Sequence, residues 1–137
     1  MKLSISSIML DALQQLAADA APQEICGILL GVENRVTGHI PTTNISPSPE
    51  RHFEIDPAQL IQAERTMREG GAAILGYYHS HPLGNVRPSS TDAESAAADG
   101  RLWLIVNGTD AALWRAVPNG EIFGRFDKVA MDCLLID

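Results

Sequence analysis

The sequence has few cysteines, no excess of positive charge and no long apolar segment. Its 137 residues include 10 lysines and arginines against 17 aspartates and glutamates, which gives a formal net charge of −7. A chain of this sign lacks the basic surface that binding to phosphate backbones requires. It is equally unsuited to an anionic membrane surface. We therefore expect neither nucleic acid nor a membrane as a partner.

Cysteine is nearly absent: only Cys26 and Cys133 occur, without any Cys-x-x-Cys pair, which excludes a cysteine zinc site. Their apolar surroundings favour free, buried thiols in a reducing cytoplasm. The alternative is a disulfide between the two ends of the chain. The N-terminal segment is not expected to be a signal peptide, because Asp11, Gln14 and Gln15 interrupt its apolar residues. We expect a cytoplasmic protein.

The apolar pattern predicts one α/β domain over residues 1–137, with a central mixed β-sheet flanked by helices. Helical spacing predicts helices over residues 7–20, 57–69 and 91–99. Strand patterns fall on residues 2–5, 24–32, 35–45, 72–79, 102–106, 111–117, 121–126 and 131–136. Asp56 is expected to cap the second helix, and Asn107-Gly108 and Asn119-Gly120 to form turns.

Two of the four histidines, His79 and His81, stand one residue apart at the end of an apolar strand segment. Residues i and i+2 of a strand point to the same side, so both imidazoles can reach one zinc ion. Pro82 ends the strand, and the following loop is long enough to return Asp92 as a third, oxygen ligand. Two histidines and one carboxylate leave a position open for water, which is typical of a catalytic zinc site.

A catalytic zinc site also needs a proton carrier and a donor to the tetrahedral oxyanion. Glu24 stands at the head of an apolar run, where burial would raise its pKa toward neutrality and suit it as a general base. Ser89, one helical turn before Asp92, could supply a hydroxyl for the oxyanion. Glu24 and Ser89 complete a candidate hydrolytic site with the three metal ligands.

Each of these residues also has a purely structural interpretation. The two neighbouring histidines could be surface residues or hydrogen-bonded core residues. Ser89 and Asp92 fit a helix capping box, which could exist beside the ligand role. Glu24 could simply begin a strand at a solvent edge. His39 and His52 show no partner pattern and are predicted to be structural.

Taken together, the residues resemble the JAMM, or MPN-plus, metallopeptidase motif. That motif is an upstream glutamate, then His-x-His-Pro, then Ser-x-x-Asp. Here it reads Glu24, then HSHP at residues 79–82, with seven residues from Pro82 to Pro88 before Ser89 and Asp92. The resemblance covers about residues 1–126 and implies an α/β JAMM/MPN fold related to deaminases.

The resemblance also implies roles for the motif residues. His79, His81 and Asp92 would hold one Zn²⁺ per chain, with Glu24 as the general base and Ser89 as the oxyanion donor. Family members hydrolyse the amide bond after the C-terminal Gly-Gly of ubiquitin or a ubiquitin-like protein. The chain resembles the compact prokaryotic members, some of which process sulfur-carrier adducts, so the expected partner is a ubiquitin-like or sulfur-carrier protein with a Gly-Gly tail. Two alternatives stay open: a less selective zinc peptidase acting on short peptides, and a non-catalytic interaction module.

Overall fold

The computed structural model of the protein describes residues 2–134. Along these residues the elements are β1 (Lys2–Ser6), α1 (Ser7–Ala20), β2 (Cys26–Val32), β3 (Arg35–Thr42), α2 (Pro57–Arg68), β4 (Ala73–Ser80), α3 (Ser90–Ser95), β5 (Leu102–Val106), β6 (Ala111–Gly120) and β7 (Gly124–Leu134). None of the helices in this part of the chain is long and apolar enough to cross a membrane.

The strands form one mixed sheet in the order β1-β3-β2-β4-β5-β6-β7. β4 and β5 are parallel, while β2 pairs antiparallel with both β3 and β4. β1 pairs in parallel with both β3 and β7, and the sheet thereby closes on itself. The predicted mixed sheet is confirmed. Its closure was not predicted, because an apolar pattern shows which face of a strand is buried and not which strands pair.

Helices α1 and α2 cover opposite faces of β2. Leu29 lies in a buried cluster with Leu13 of α1, whereas its neighbour Ile28 packs with Ala63 of α2. Successive strand residues point to opposite faces. The apolar run of β2 is therefore buried by a helix on each side, which explains why it does not alternate with polar residues. The predicted cap of α2 is confirmed, since Asp56 accepts a hydrogen bond from the backbone of Ala58 at 3.0 Å.

Helix α3 is shorter than the predicted helix over residues 91–99. The backbone of Ala96 is extended, with φ −79° and ψ 130°. The chain then runs beside β6, where Gly100 N–H donates to Ala116 O and Ala116 N–H donates to Arg101 O. The alanine-rich composition favoured a helix, but these tertiary hydrogen bonds override that weak preference.

The last two strands also differ from the prediction. β6 runs through the turn expected at Asn119-Gly120, and the chain reverses at residues 121–123 instead. A register shift between Ala116 and Gly120 lets β6 and β7 stay paired past Asn119. The two expected final strands merge into β7 as far as Leu134; the last two residues of the second one lie outside the described residues.

Both cysteines are free, so the alternative of a disulfide between them is wrong. Cys26 is buried as predicted, with its Sγ 3.3 Å from Thr42 Oγ1. Cys133 is exposed, contrary to the prediction of a buried thiol. The difference arises because β7 presents most of its residues to solvent or to partly open positions.

Candidate active site

The three predicted metal ligands converge beyond the end of β4. His79 Nε2 lies 3.1 Å from one carboxylate oxygen of Asp92, and His81 Nε2 lies 3.1 Å from the other. The two Nε2 atoms are themselves 3.1 Å apart. Donors at the corners of a tetrahedron around zinc, at 2.0–2.1 Å from it, are about 3.3 Å apart. The three residues form a group that could hold a metal ion, with spacing close to what zinc requires.

The fold supplies these ligands from two neighbouring elements. His79 is the penultimate residue of β4 and is fully buried. His81 follows the strand directly. Asp92 is the third residue of α3, which Ser89 caps. The capping box is present: Ser89 Oγ accepts from Asp92 N–H at 3.0 Å, and Asp92 Oδ2 accepts from Ser89 N–H at 2.9 Å. The cap therefore orients the carboxylate that faces the histidines.

The two histidines are held in different ways. His81 Nδ1 donates to Asn85 O at 2.8 Å, which leaves Nε2 to face the other ligands. His79 Nδ1 is buried and has no hydrogen-bond partner among residues 2–134. Its ring is stacked on Phe53, with centroids 4.3 Å apart and planes 22° apart, and Trp103 meets it edge-on at 5.5 Å.

The loop between the histidines and α3, residues 82–88, is anchored to the β5–β6 hairpin. Asn107 Nδ2 donates to Gly84 O at 3.0 Å, and Trp114 Nε1 donates to Val86 O at 3.0 Å. These bonds satisfy backbone carbonyls that the loop cannot satisfy within a strand or helix. The loop thus approaches the ligand group in a defined position.

Glu24 is buried, with 6% of its surface exposed, so its interpretation as a solvent-edge residue is wrong. It precedes β2, which begins at Cys26 and not at Glu24 as predicted. Its Oε1 has no hydrogen-bond partner within the described residues. The serine between the two histidines fixes this end of β2: Ser80 Oγ accepts from Ile25 N–H at 2.8 Å, and Ser80 N–H donates to Ile25 O.

Two residues that shape the site, Ser80 and Phe53, carry no signal in the sequence pattern. Ser80 points away from the imidazoles that flank it, as strand alternation requires, but only the pairing of β2 with β4 shows what it meets. Phe53 lies in a loop far from His79 in the chain. Its contact with the histidine ring depends on tertiary packing, which the local pattern did not show.

Burial and charge shift the ionisation of the group. Burial raises the pKa of Glu24 from 4.5 to about 7; His81 works against this rise and Asp92 adds to it. Burial also works to raise the pKa of Asp92, but attraction to His79 and hydrogen bonds from both histidines hold it well below its usual range. Asp92 is therefore an anion at neutral pH, as a metal ligand must be.

The histidine pKa values move in opposite directions. Burial lowers the pKa of His79 and outweighs the influence of Asp92. Burial acts in the same direction on His81, but hydrogen bonds with Asp92 and Asn85 outweigh it and raise the pKa. Neutral imidazole is the form that binds zinc. The lowered pKa favours this form of His79 at neutral pH.

The other two histidines lie outside this group. His39 Nδ1 is 3.2 Å from the hydroxyl of Tyr78, and His52 Nδ1 is 2.8 Å from Ser46 Oγ. These contacts agree with the prediction that both are structural.

The chain matches the family described as prokaryotic homologs of the JAB domain over residues 6–118. It is 35% identical over 91 residues to a desampylase of Haloferax volcanii, which covers 65% of this chain and 66% of that protein. A probable TtuB-protein conjugate cleaving protease of Thermus thermophilus is 34% identical over 101 residues, which covers 74% and 66%. A CysO-cysteine peptidase of Mycobacterium tuberculosis is 32% identical over 91 residues, which covers 65% and 62%. The matched region thus spans just under two thirds of these relatives.

Solved structures are similar over nearly the whole chain. A protein from Desulfitobacterium hafniense has a TM-score of 0.80 at 25% identity and covers 96% of this chain and 92% of its own. A JAB1/MPN domain protein from Archaeoglobus fulgidus has a TM-score of 0.61 at 18% identity, covering 96% and 98%, which bears on the fold alone. The predicted JAMM/MPN fold is confirmed. Because the family match includes every motif position from Glu24 to Asp92, this chain belongs to the prokaryotic homologs of the JAB domain.

Proposed function

We propose that the protein is a zinc metallopeptidase that hydrolyses the amide bond after the C-terminal Gly-Gly of a ubiquitin-like or sulfur-carrier protein. The observation that carries this proposal is the convergence of three ligand atoms beyond β4, with the carboxyl of Glu24 buried and close enough to respond to their charges. The relatives named a TtuB-protein conjugate cleaving protease and a CysO-cysteine peptidase support the substrate class.

The donor set fits zinc in chemistry and spacing. Two imidazole nitrogens and one carboxylate oxygen are the ligands of many catalytic zinc sites. Here the two Nε2 atoms face each other at 3.1 Å, and a shared cation would satisfy both lone pairs at once. His79, His81 and Asp92 would hold the ion. When bound, zinc would polarise a substrate carbonyl and lower the pKa of a water molecule.

The remaining chemistry belongs to side chains of this chain. The carboxylate of Glu24 would take a proton from the attacking water and deliver it to the amine that leaves as the C–N bond breaks. A pKa of about 7 suits both transfers near neutral pH. Ser89 Oγ accepts from Asp92 N–H, so its own hydrogen is available to the oxyanion of the tetrahedral intermediate.

We also propose a cytoplasmic location for the protein. The two thiols, Cys26 and Cys133, are free. Free thiols suit a reducing compartment better than an oxidising one.

The test is the hydrolysis of a panel of Gly-Gly-tailed carrier proteins, each joined through its C-terminus to an amine. We expect the zinc-loaded protein to release the carrier, and Glu24→Gln to be slower by a factor of about 100 or more. Comparable cleavage of the isolated tail peptide would favour a less selective zinc peptidase. If the zinc-loaded protein cleaves neither the conjugates nor the peptide, the proposed function is wrong and the non-catalytic module is favoured.

A further inference from the structure

Asn44 lies outside the metal group, but its side chain is hydrogen-bonded to Glu24 and to the two neighbours of Phe53. We propose that Asn44 is a positioning residue of this site, which fixes the backbone of Glu24 and the ring of Phe53 that orients His79. The inference rests on the proposed function, because it concerns how the same metal site is held in shape.

All hydrogen-bonding positions of the Asn44 amide are used. Its Nδ2 donates to Glu24 O at 3.0 Å and to His52 O at 3.3 Å. Its Oδ1 accepts from Ser46 N–H at 3.0 Å and from Glu54 N–H at 3.1 Å. An asparagine amide has two donor hydrogens and two acceptor lone pairs, so backbone groups of four residues satisfy this side chain completely.

Two of these bonds bracket Phe53. His52 and Glu54, its neighbours on either side, are both held by Asn44. Phe53 in turn stacks on the ring of His79 with centroids 4.3 Å apart. Asn44 thereby holds the backbone on both sides of Phe53, whose ring contacts the metal ligand His79.

The stacking matters because His79 lacks the usual support of a metal-binding histidine. Such a residue normally donates its second ring N–H to an oxygen, which fixes the ring. His81 does so through Asn85, but His79 Nδ1 is buried and has no partner among the residues that the structure describes. The stacked ring of Phe53 and the edge-on contact with Trp103 take over that function for His79.

The bond to Glu24 joins the proton carrier to the same segment. Asn44 holds the carbonyl of Glu24, while Glu24 N–H donates to Pro49 O at 2.7 Å. Glu24 Oε1 has no partner in residues 2–134, so these two backbone bonds fix the segment that carries the carboxyl. Loss of the Asn44 amide would release the proton carrier and the His79 support together.

The test compares Asn44→Ala with Gln59→Ala in the full chain. Gln59 is a matched control: its Oε1 accepts from Thr43 N–H at 2.8 Å, next to Asn44, and that bond reaches neither Glu24 nor Phe53. The readouts are the zinc dissociation constant, by chelator competition, and the visible absorption spectrum of the Co²⁺-loaded protein. We expect Asn44→Ala to weaken zinc binding about 10-fold or more and to alter the cobalt spectrum, while Gln59→Ala leaves both unchanged.

Substitution of Phe53 provides a second test that keeps all four Asn44 bonds. Phe53→Leu should weaken zinc binding and alter the cobalt spectrum in the same way. Phe53→Tyr, which keeps the ring, should retain the wild-type zinc affinity and cobalt spectrum. Wild-type zinc affinity and an unchanged spectrum in folded Asn44→Ala, or in Phe53→Leu, would overturn the inference. Wild-type protein that binds zinc but cleaves no carrier conjugate would contradict only the proposed function.

Discussion

At the scale of single residues, burial of Glu24 lowers the stability of the fold, and the proposed role of this residue as a general base gives a reason for that cost. Burial raises its pKa from 4.5 to about 7, so between these values the folded metal-free protein keeps a proton that the unfolded chain loses. The folded state then binds more protons than the unfolded state, and stability falls as pH rises. The free energy of unfolding therefore decreases from about pH 4.5 to 7 and stays reduced above that.

Glu24→Gln should remove this cost. At pH 8 we expect the metal-free variant to be more stable than metal-free wild type, by up to about 3 kcal/mol. At pH 4, where Glu24 is largely protonated in both states, the advantage should nearly disappear. Urea unfolding of both proteins with a chelator present, at the two pH values, measures the difference. A difference that does not change with pH would show that the carboxyl is not destabilised in the folded state.

Ser89 combines a cap and a proposed catalytic hydroxyl, and these can be separated. Ser89→Ala should lower kcat by about 100-fold if the hydroxyl stabilises the oxyanion, and should cost about 1 kcal/mol through loss of the cap. Ser90→Ala, at the exposed next residue, is the control and should change neither. A kcat for Ser89→Ala equal to that of wild type would remove the proposed role and leave the cap.

The sequence predicted the five motif positions of the candidate site because their residue types and spacing are distinctive. It did not predict Asn44, Phe53 or Ser80 as supporting residues. Asparagine, phenylalanine and serine at those positions also fit ordinary loops and strands. Their contribution depends on which segments the fold brings together, and that information is absent from local spacing.

At the scale of elements, the close packing of β4 against β5 determines where the first metal ligand lies. Gly76, in the middle of β4, has no room for a side chain: an added Cβ would lie 2.0 Å from Leu102 O. The glycine therefore lets the two parallel strands approach, three residues before His79. This is a requirement of packing and not of backbone conformation.

Gly76→Ala should consequently destabilise the fold by about 1–3 kcal/mol and weaken zinc binding, because β4 must shift. Gly38→Ala is a suitable control, since a Cβ at Gly38 would meet nothing within 4 Å. Denaturant unfolding and zinc titration of both variants measure the two effects. If Gly76→Ala is as stable as Gly38→Ala and binds zinc equally well, the strands have more freedom than the structure indicates.

The elements themselves were predicted with uneven success, for physical reasons. Helices α1 and α2 have apolar residues at helical spacing and capped N-termini, so their bounds were predicted within about a residue. The end of α3 and the turn before β7 were wrong. At both places, hydrogen bonds to β6 or pairing with it determine the backbone conformation. Neither contact can be inferred from neighbouring residues.

At the scale of the whole molecule, the sheet closes on itself through β1, and helices pack on both sides of β2. The ligand group lies at one end of β4 in this closed sheet. Composition and apolar pattern were sufficient to predict a mixed α/β fold. The residue types and spacing of the motif indicated the family. Strand order and closure required the three-dimensional structure, because they depend on pairings between residues far apart in the chain.

In the proposed site, His79, His81 and Asp92 bind one zinc ion that Glu24 does not ligate. The most direct measurement is the zinc content of purified, zinc-replete wild type, Asp92→Ala and Glu24→Gln. We predict close to one zinc per chain in wild type and Glu24→Gln, and loss of zinc from Asp92→Ala. A wild-type protein without zinc, or an Asp92→Ala variant that keeps it fully, would contradict the account.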